Sequence, residues 1–190
     1  MRKLHRILLV AALMAPAAPA LAHPGHGSGG FAAGILHPLT GTDHMVAMLM
    51  VGVWAGLVAG RAMWVLPTSF LAAMLAGFAY GELAHTGAAG VEMVIILSLI
   101  ALGTAVALKL RAPLALAAGA AGLFGFAHGM AHGLESPGGQ ASLGFAGGFL
   151  VATAALHGAG LLLARHMPVT WARAIGVAGA GLGLLLAGAG

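Results

Sequence analysis

Polar positions along this chain are few and grouped, and long stretches between the groups are apolar throughout. A helix that crosses a bilayer needs about 20 mostly apolar residues. Six segments reach that length, at about 41–60, 64–84, 91–109, 113–133, 142–164 and 171–189. The joints between them are short and carry breakers or polar residues: Gly60-Arg61, then the runs HTGAAG from His85, KLRAP from Lys109, ESPGGQ from Glu135 and RHMPVT from Arg165. The pattern predicts an all-α integral membrane protein whose membrane domain, 41–190, has about six transmembrane helices. Glycine recurs at small-xxx-small spacing, as at Gly179, Gly183 and Ala187, which lets helices pack closely in lipid. The string G-F-A-x-G occurs four times, starting at Gly30, Gly77, Gly125 and Gly144. Two copies fall on spans two and four, which run the same way, so the string reads as a decayed repeat.

The first 22 residues have a different pattern: a basic start (Arg2, Lys3, Arg6), an apolar run from Ile7 to Met14, and Ala-Leu-Ala before His23. That is the layout of a cleaved secretory signal, and Pro16 and Pro19 break it as a span. Residues 23–40 are then an exported, His-containing tail leading into a short re-entrant or half-helix piece. Arg61, Lys109, Arg111, Arg165 and Arg173 all fall on one side if six spans alternate. Positive residues mark the cytoplasmic side. Both arguments place the N-terminus outside, and an even number of spans returns the C-terminus there. The expected location is the bacterial inner membrane, with both termini periplasmic.

Composition agrees with the bilayer and narrows the chemistry. The chain is 61% hydrophobic and 6% charged, with a mean hydropathy of +1.02. Four acids and eight Lys/Arg cannot supply a soluble domain's surface. The basic residues form no stripe, so nucleic acid is excluded as a partner. There is no cysteine, which excludes thiolate metal sites and cysteine nucleophiles. No nucleotide-binding loop is present either.

The remaining polar groups collect on one side. Asp43, Glu82, Glu92 and Glu135 lie in or beside the outer half of the membrane, with His37, His44, His85, His128 and His132. An outer side rich in carboxylate and imidazole, against a basic inner side, draws cations to the entrance. His128 and His132 are spaced i and i+4, so they project from one helical face with Glu135 a turn higher. At 1.5 Å per residue they lie ~22 and ~28 Å up span four, and Asp43 and His44 lie ~24–26 Å up span one. The two sets meet at one level and make a nitrogen/oxygen metal site. Pro38 is expected to push His37 out of helical geometry, Gly41 permits a further departure, and Thr40 or Thr42 is placed to cap the next span. His157, ~10 Å from the inner end of span five, is a lower stepping point or a histidine bonded to a neighbouring carbonyl. His23 and His26 in the tail can capture a metal loosely. Met45, Met48 and Met130 read as packing, Glu82 with His85 as a solvated pair, and Glu92 as an interfacial helix-start acid.

Two motifs, HPLTGTDHMVAMLMVGVWAG (His37 to Gly56) and FAHGMAHGLE (Phe126 to Glu135), carry a resemblance. With the signal-like start and the number of spans, the chain resembles the HupE/UreJ family of hydrogenase- and urease-associated nickel permeases over nearly its whole length. The resemblance implies metal handling by His37, Asp43, His44, His128, His132 and Glu135, and it implies nickel as the transported ion. Residue chemistry alone admits nickel, zinc, cobalt or copper(II). The expected function is transition-metal uptake for nickel enzymes, with divalent metal and lipid as partners, no prosthetic group and no enzymatic activity. The rival is a membrane zinc hydrolase using the same cluster, with Ser136 or Ser142 as a polar partner.

Overall fold

A computed structural model of the chain describes residues 29–58, 60–84 and 90–189. The signal-like segment 1–22, the tail residues His23 and His26, and His85 lie outside the described residues. Among those described, seven α-helices and no strand are found: α1 (Gly29–Thr40), α2 (Thr42–Val58), α3 (Val65–Ala84), α4 (Val91–Leu108), α5 (Leu114–Leu134), α6 (Gln140–His166) and α7 (Val169–Ala189). A 3-10 turn, Gly60–Ala62, joins α2 to α3. Five helices are long and apolar enough to cross a membrane, and six spans result if the bent pair α1–α2 counts as one. Each lies within a few residues of the segment the hydropathy pattern marks. Large apolar side chains such as Leu83, Leu116, Leu143 and Leu185 are exposed on the bundle's outside, as lipid requires.

The first span is broken. α1 and α2 meet at an angle of 84°. The expectation that Pro38 takes His37 out of the helix is corrected, because α1 continues through Pro38 to Thr40. Pro38 removes only the hydrogen bond to the Gly34 carbonyl, and close packing of α1 on α6 holds the segment helical. The break comes at Gly41. Nor does Thr40 cap α2. Its hydroxyl donates back to the His37 carbonyl at 2.8 Å, satisfying an acceptor that the end of α1 leaves open. α2 starts without it, with the Met45 amide donating to the Gly41 carbonyl at 2.9 Å.

Glycine sets the helix pairing. The most extensive interfaces are α3 with α5, α6 with α1 and α2, and α4 with α7. Gly77 faces the Phe126 carbonyl and the Met130 amide, and Gly160 faces the Leu49 carbonyl and the Val53 amide in the same way. Gly129 lies on the Met74 carbonyl as Gly52 lies on that of His157. Gly103 meets Ala180 and Gly176, and Gly176 meets Ala107 and Gly103. Exchanging the first three spans for the last three therefore maps each contact onto another. The spans alternate in direction, so the two halves are inverted, an arrangement known from transporters.

The repeat is not the one suggested by G-F-A-x-G. Those strings are contact surfaces: Gly30 and Gly34 pack against α6 near Gly144 and Gly148, and Gly77 and Gly81 pack against the α5 copy. The true equivalents are span one with four, two with five, and three with six.

Candidate metal centre

In the register set by Gly52 and Gly129, the equivalents of His128 and His132 are Val51 and Ala55, both buried. The polar cluster thus draws residues from both halves, with His37, Asp43 and His44 on the first and His128 and His132 on the second, while the positions equivalent to the two span-four histidines are apolar. It lies where α1, α2, α5 and α6 converge beside the break at Gly41. Glycine there leaves room for a side-chain pair, since a Cβ would sit 3.2 Å from Asp43 Oδ1 and 3.3 Å from His44 Nδ1.

Five imidazoles descend from the surface. His37 packs on His132 with ring centroids 4.8 Å apart, His132 on His44 at 4.8 Å, and His44 on His128 at 4.7 Å. Phe70 comes next, 5.5 Å from His128 and 5.1 Å from His157. Side-chain exposure is 58% at Glu135, 32% at His37, 26% at Asp43 and 17% at His44. His132, His128 and His157 are buried. The cluster therefore opens on the side of Glu135, His37, Asp43 and His44 and closes toward His128 and His157.

His37, His132 and Glu135 present ligand atoms that all lie within 4.8 Å of one another, the one such group among the described residues. His37 Nε2 donates to Glu135 Oε2 at 2.8 Å. That hydrogen bond holds the Glu135 carboxyl below its ordinary range, outweighing partial burial, which works the other way. Beside this group the His44 and His128 rings are in contact and Asp43 is hydrogen-bonded to His44, but the three are not drawn into a second group of that spacing.

Neighbours select the nitrogen that His44 and His128 offer. His44 Nδ1 donates to Asp43 Oδ1 at 3.0 Å, so Nε2 keeps the lone pair, and it is buried without a partner. Ser98 does the same for His128. Its hydroxyl has one proton, donated to the Ile95 carbonyl at 2.6 Å. The 3.1 Å contact with His128 Nε2 is therefore one in which the ring donates. His128 Nδ1 is left bare and unpartnered. Both nitrogens of His132 and both of His157 lack partners as well. Buried polar groups are normally satisfied, so this many open nitrogens around one axis suits a cation.

Ser98 escaped the sequence reading. The only signal was a lone hydroxyl within an apolar span, which is ordinary in itself. An outer-shell partner that orients a metal-binding histidine typically contributes ~10–100-fold in affinity. Ser98→Ala is expected to weaken metal binding by roughly 10-fold, measured by equilibrium dialysis of the purified protein. An unchanged affinity would mean that something else sets the His128 tautomer.

The serines that the hydrolase reading invoked turn to each other, with Ser136 Oγ and Ser142 Oγ 2.6 Å apart. Met48 is fully buried and its sulfur accepts from the Thr153 hydroxyl at 3.2 Å, a packing role.

The sequence model of the family described as HupE / UreJ protein matches residues 11–190. Among curated proteins, the chain is similar to Protein HupE of Rhizobium leguminosarum bv. viciae. The two are 38% identical over 164 residues, 85% of this chain and 84% of that protein. No solved structure matches.

Proposed function

The chain belongs to the HupE/UreJ family, and from that premise we propose that it carries a divalent transition metal, nickel before cobalt, zinc or copper, inward across the cytoplasmic membrane for nickel enzymes. The observation that supports this most directly is the column of imidazoles entered beside Glu135 and His37 and continuing to the buried His128 and His157. A metal held only at a surface would not need ligands at successive depths. His37, His132 and Glu135 receive the ion. Asp43, His44 and His128 take it deeper, with the Asp43 carboxylate offsetting part of its lost hydration. His23 and His26, in the exported tail, act as loose capture ligands. Both termini face the periplasm in this reading.

The driving force need not come from nucleotide. An inside-negative potential contributes ~2.3 kcal/mol per charge per 100 mV, about twice that for a divalent ion. Hydrolysis is the weaker reading, because Ser136 and Ser142 are engaged with each other and not with the cluster.

The test is uptake of Ni2+, Co2+, Zn2+ and Cu2+ into proteoliposomes, with Asp43→Asn as the informative variant. Asparagine keeps the size and can still accept from His44, so it removes little besides the charge. Uptake is expected to fall at least tenfold, the effect of about 1.4 kcal/mol at room temperature. Wild-type uptake of none of the four metals, or lipid or amide hydrolysis by the zinc-loaded protein without transport, would overturn the proposal.

A further inference from the structure

We infer that Phe70 is an aromatic plug separating the outer metal site from a second, inner metal position at His157, where the cation rests once Phe70 turns aside. The inference rests on the carrier reading and adds to it a barrier and a second resting place. Phe70 is fully buried and touches a histidine on either side: His128 of α5, and His157 of α6, which it meets edge to face at 88°. Gly125 lets α5 close on it, since a Cβ there would lie 2.9 Å from the Phe70 Cα. In this arrangement an ion moving from His128 to His157 passes the Phe70 ring, which touches both.

His157 has the properties of a receiving position. It is buried with neither ring nitrogen partnered, an arrangement native proteins seldom keep without an occupant. One turn back on the same face of α6, Thr153 offers an oxygen whose proton goes to the Met48 sulfur. One imidazole and one hydroxyl bind a divalent ion weakly, which suits a position that must release it. In the repeat, Phe70 is the equivalent of Thr153 and Met74 of His157. These four side chains therefore surround the exchange axis, where inverted-repeat transporters place their cargo. One turn from Phe70, on the side of the Arg61 and Arg111 joints, the buried Leu66 borders an open surface pocket of about 440 Å³ that Val58, Ala62 and Arg111 also line.

The absence of native cysteine makes the test direct. His157→Cys is placed in the full chain, with and without Phe70→Ala, and intact cells receive a positively charged, membrane-impermeant thiol reagent from outside. Labelling is expected to be slow behind Phe70 and at least tenfold faster in the double variant. Phe70→Leu, which keeps an apolar core, serves if Phe70→Ala does not fold and is expected to give an intermediate rate. In a separate uptake assay, His157→Ala should lower the maximal rate severalfold and leave the half-saturating metal concentration unchanged, because the outer ligands remain. Labelling rates independent of residue 70 would overturn the plug. An unchanged maximal rate in His157→Ala would overturn the inner position. Either result leaves the carrier reading standing if wild-type uptake is intact. Conversely, labelling that follows Phe70 in a chain moving no metal would retain the plug and reject the carrier.

Discussion

His132→Leu is expected to abolish metal uptake while leaving the metal-free protein at least as stable as before. His132 is the ring that contacts both His37 and His44, so it belongs to the open group with Glu135 and to the step below it. Without it, the outer group keeps two ligands and the step to His44 loses its donor. Affinity should fall by more than the ~10–100-fold that loss of an outer-shell partner costs. Stability should move the other way. Both nitrogens of His132 are buried without partners, and each such group costs about 1–3 kcal/mol. Leucine has similar bulk and no polar atom to strand, and Phe149, 5.0 Å away, supplies an apolar neighbour. The measurements are uptake in proteoliposomes and the melting temperature of the metal-free protein in detergent. Wild-type uptake would remove His132 from the path. A large drop in melting temperature would mean that its nitrogens are satisfied in the folded protein.

Gly129→Val should have the largest effect on folding. A Cβ at this position would lie 2.7 Å from the Met74 carbonyl carbon and 2.8 Å from its Cα, with the carbonyl oxygen nearer still. These are backbone atoms of α3, so no rotamer change relieves the clash. The helices must part or shift register. Overpacking usually costs about 1–3 kcal/mol, occasionally more; with backbone as the obstacle, a loss above about 4 kcal/mol is expected, at the extreme of single substitutions. Parting α3 from α5 also moves Phe70 away from His128, so uptake should vanish with the fold. Gly119 is the control: it lies on the same helix with nothing within 4 Å of an added Cβ, and Gly119→Val should be nearly silent. The readout is the fraction of protein that stays monodisperse and its melting temperature. Equal behaviour of the two variants would show that the α3–α5 contact is not built as described.

Much of the candidate site was legible because its residue types are costly in lipid. An aspartate and several histidines beside or within apolar spans invite a functional reading. The i, i+4 spacing of His128 and His132 by itself puts both on one helical face. Phe70 was not legible, since a phenylalanine in an apolar span is the commonest thing there, and its importance lies only in having a histidine on either side. The G-F-A-x-G strings were visible but misread, because a recurring string does not say whether its copies are equivalent or merely touch. Pro38 misled for a related reason. Its local preference is to end a helix, and packing of α1 on α6 outweighed one lost hydrogen bond.

The sequence by itself determined where the apolar spans lie, and its basic residues supply an expected orientation. Lipid leaves the backbone no partner but itself, so length and hydropathy suffice to mark helices, and the placement of Lys and Arg orients them. Only the tertiary structure decided the rotation and register of each helix. These helices are apolar nearly all round, so no stripe in the sequence marks the face that turns inward. Close backbone contact at Gly52, Gly77, Gly103 and Gly129 sets that face. It thereby decides that Ser98 meets His128, that Phe70 stands before His157, and that the two halves repeat in opposite directions.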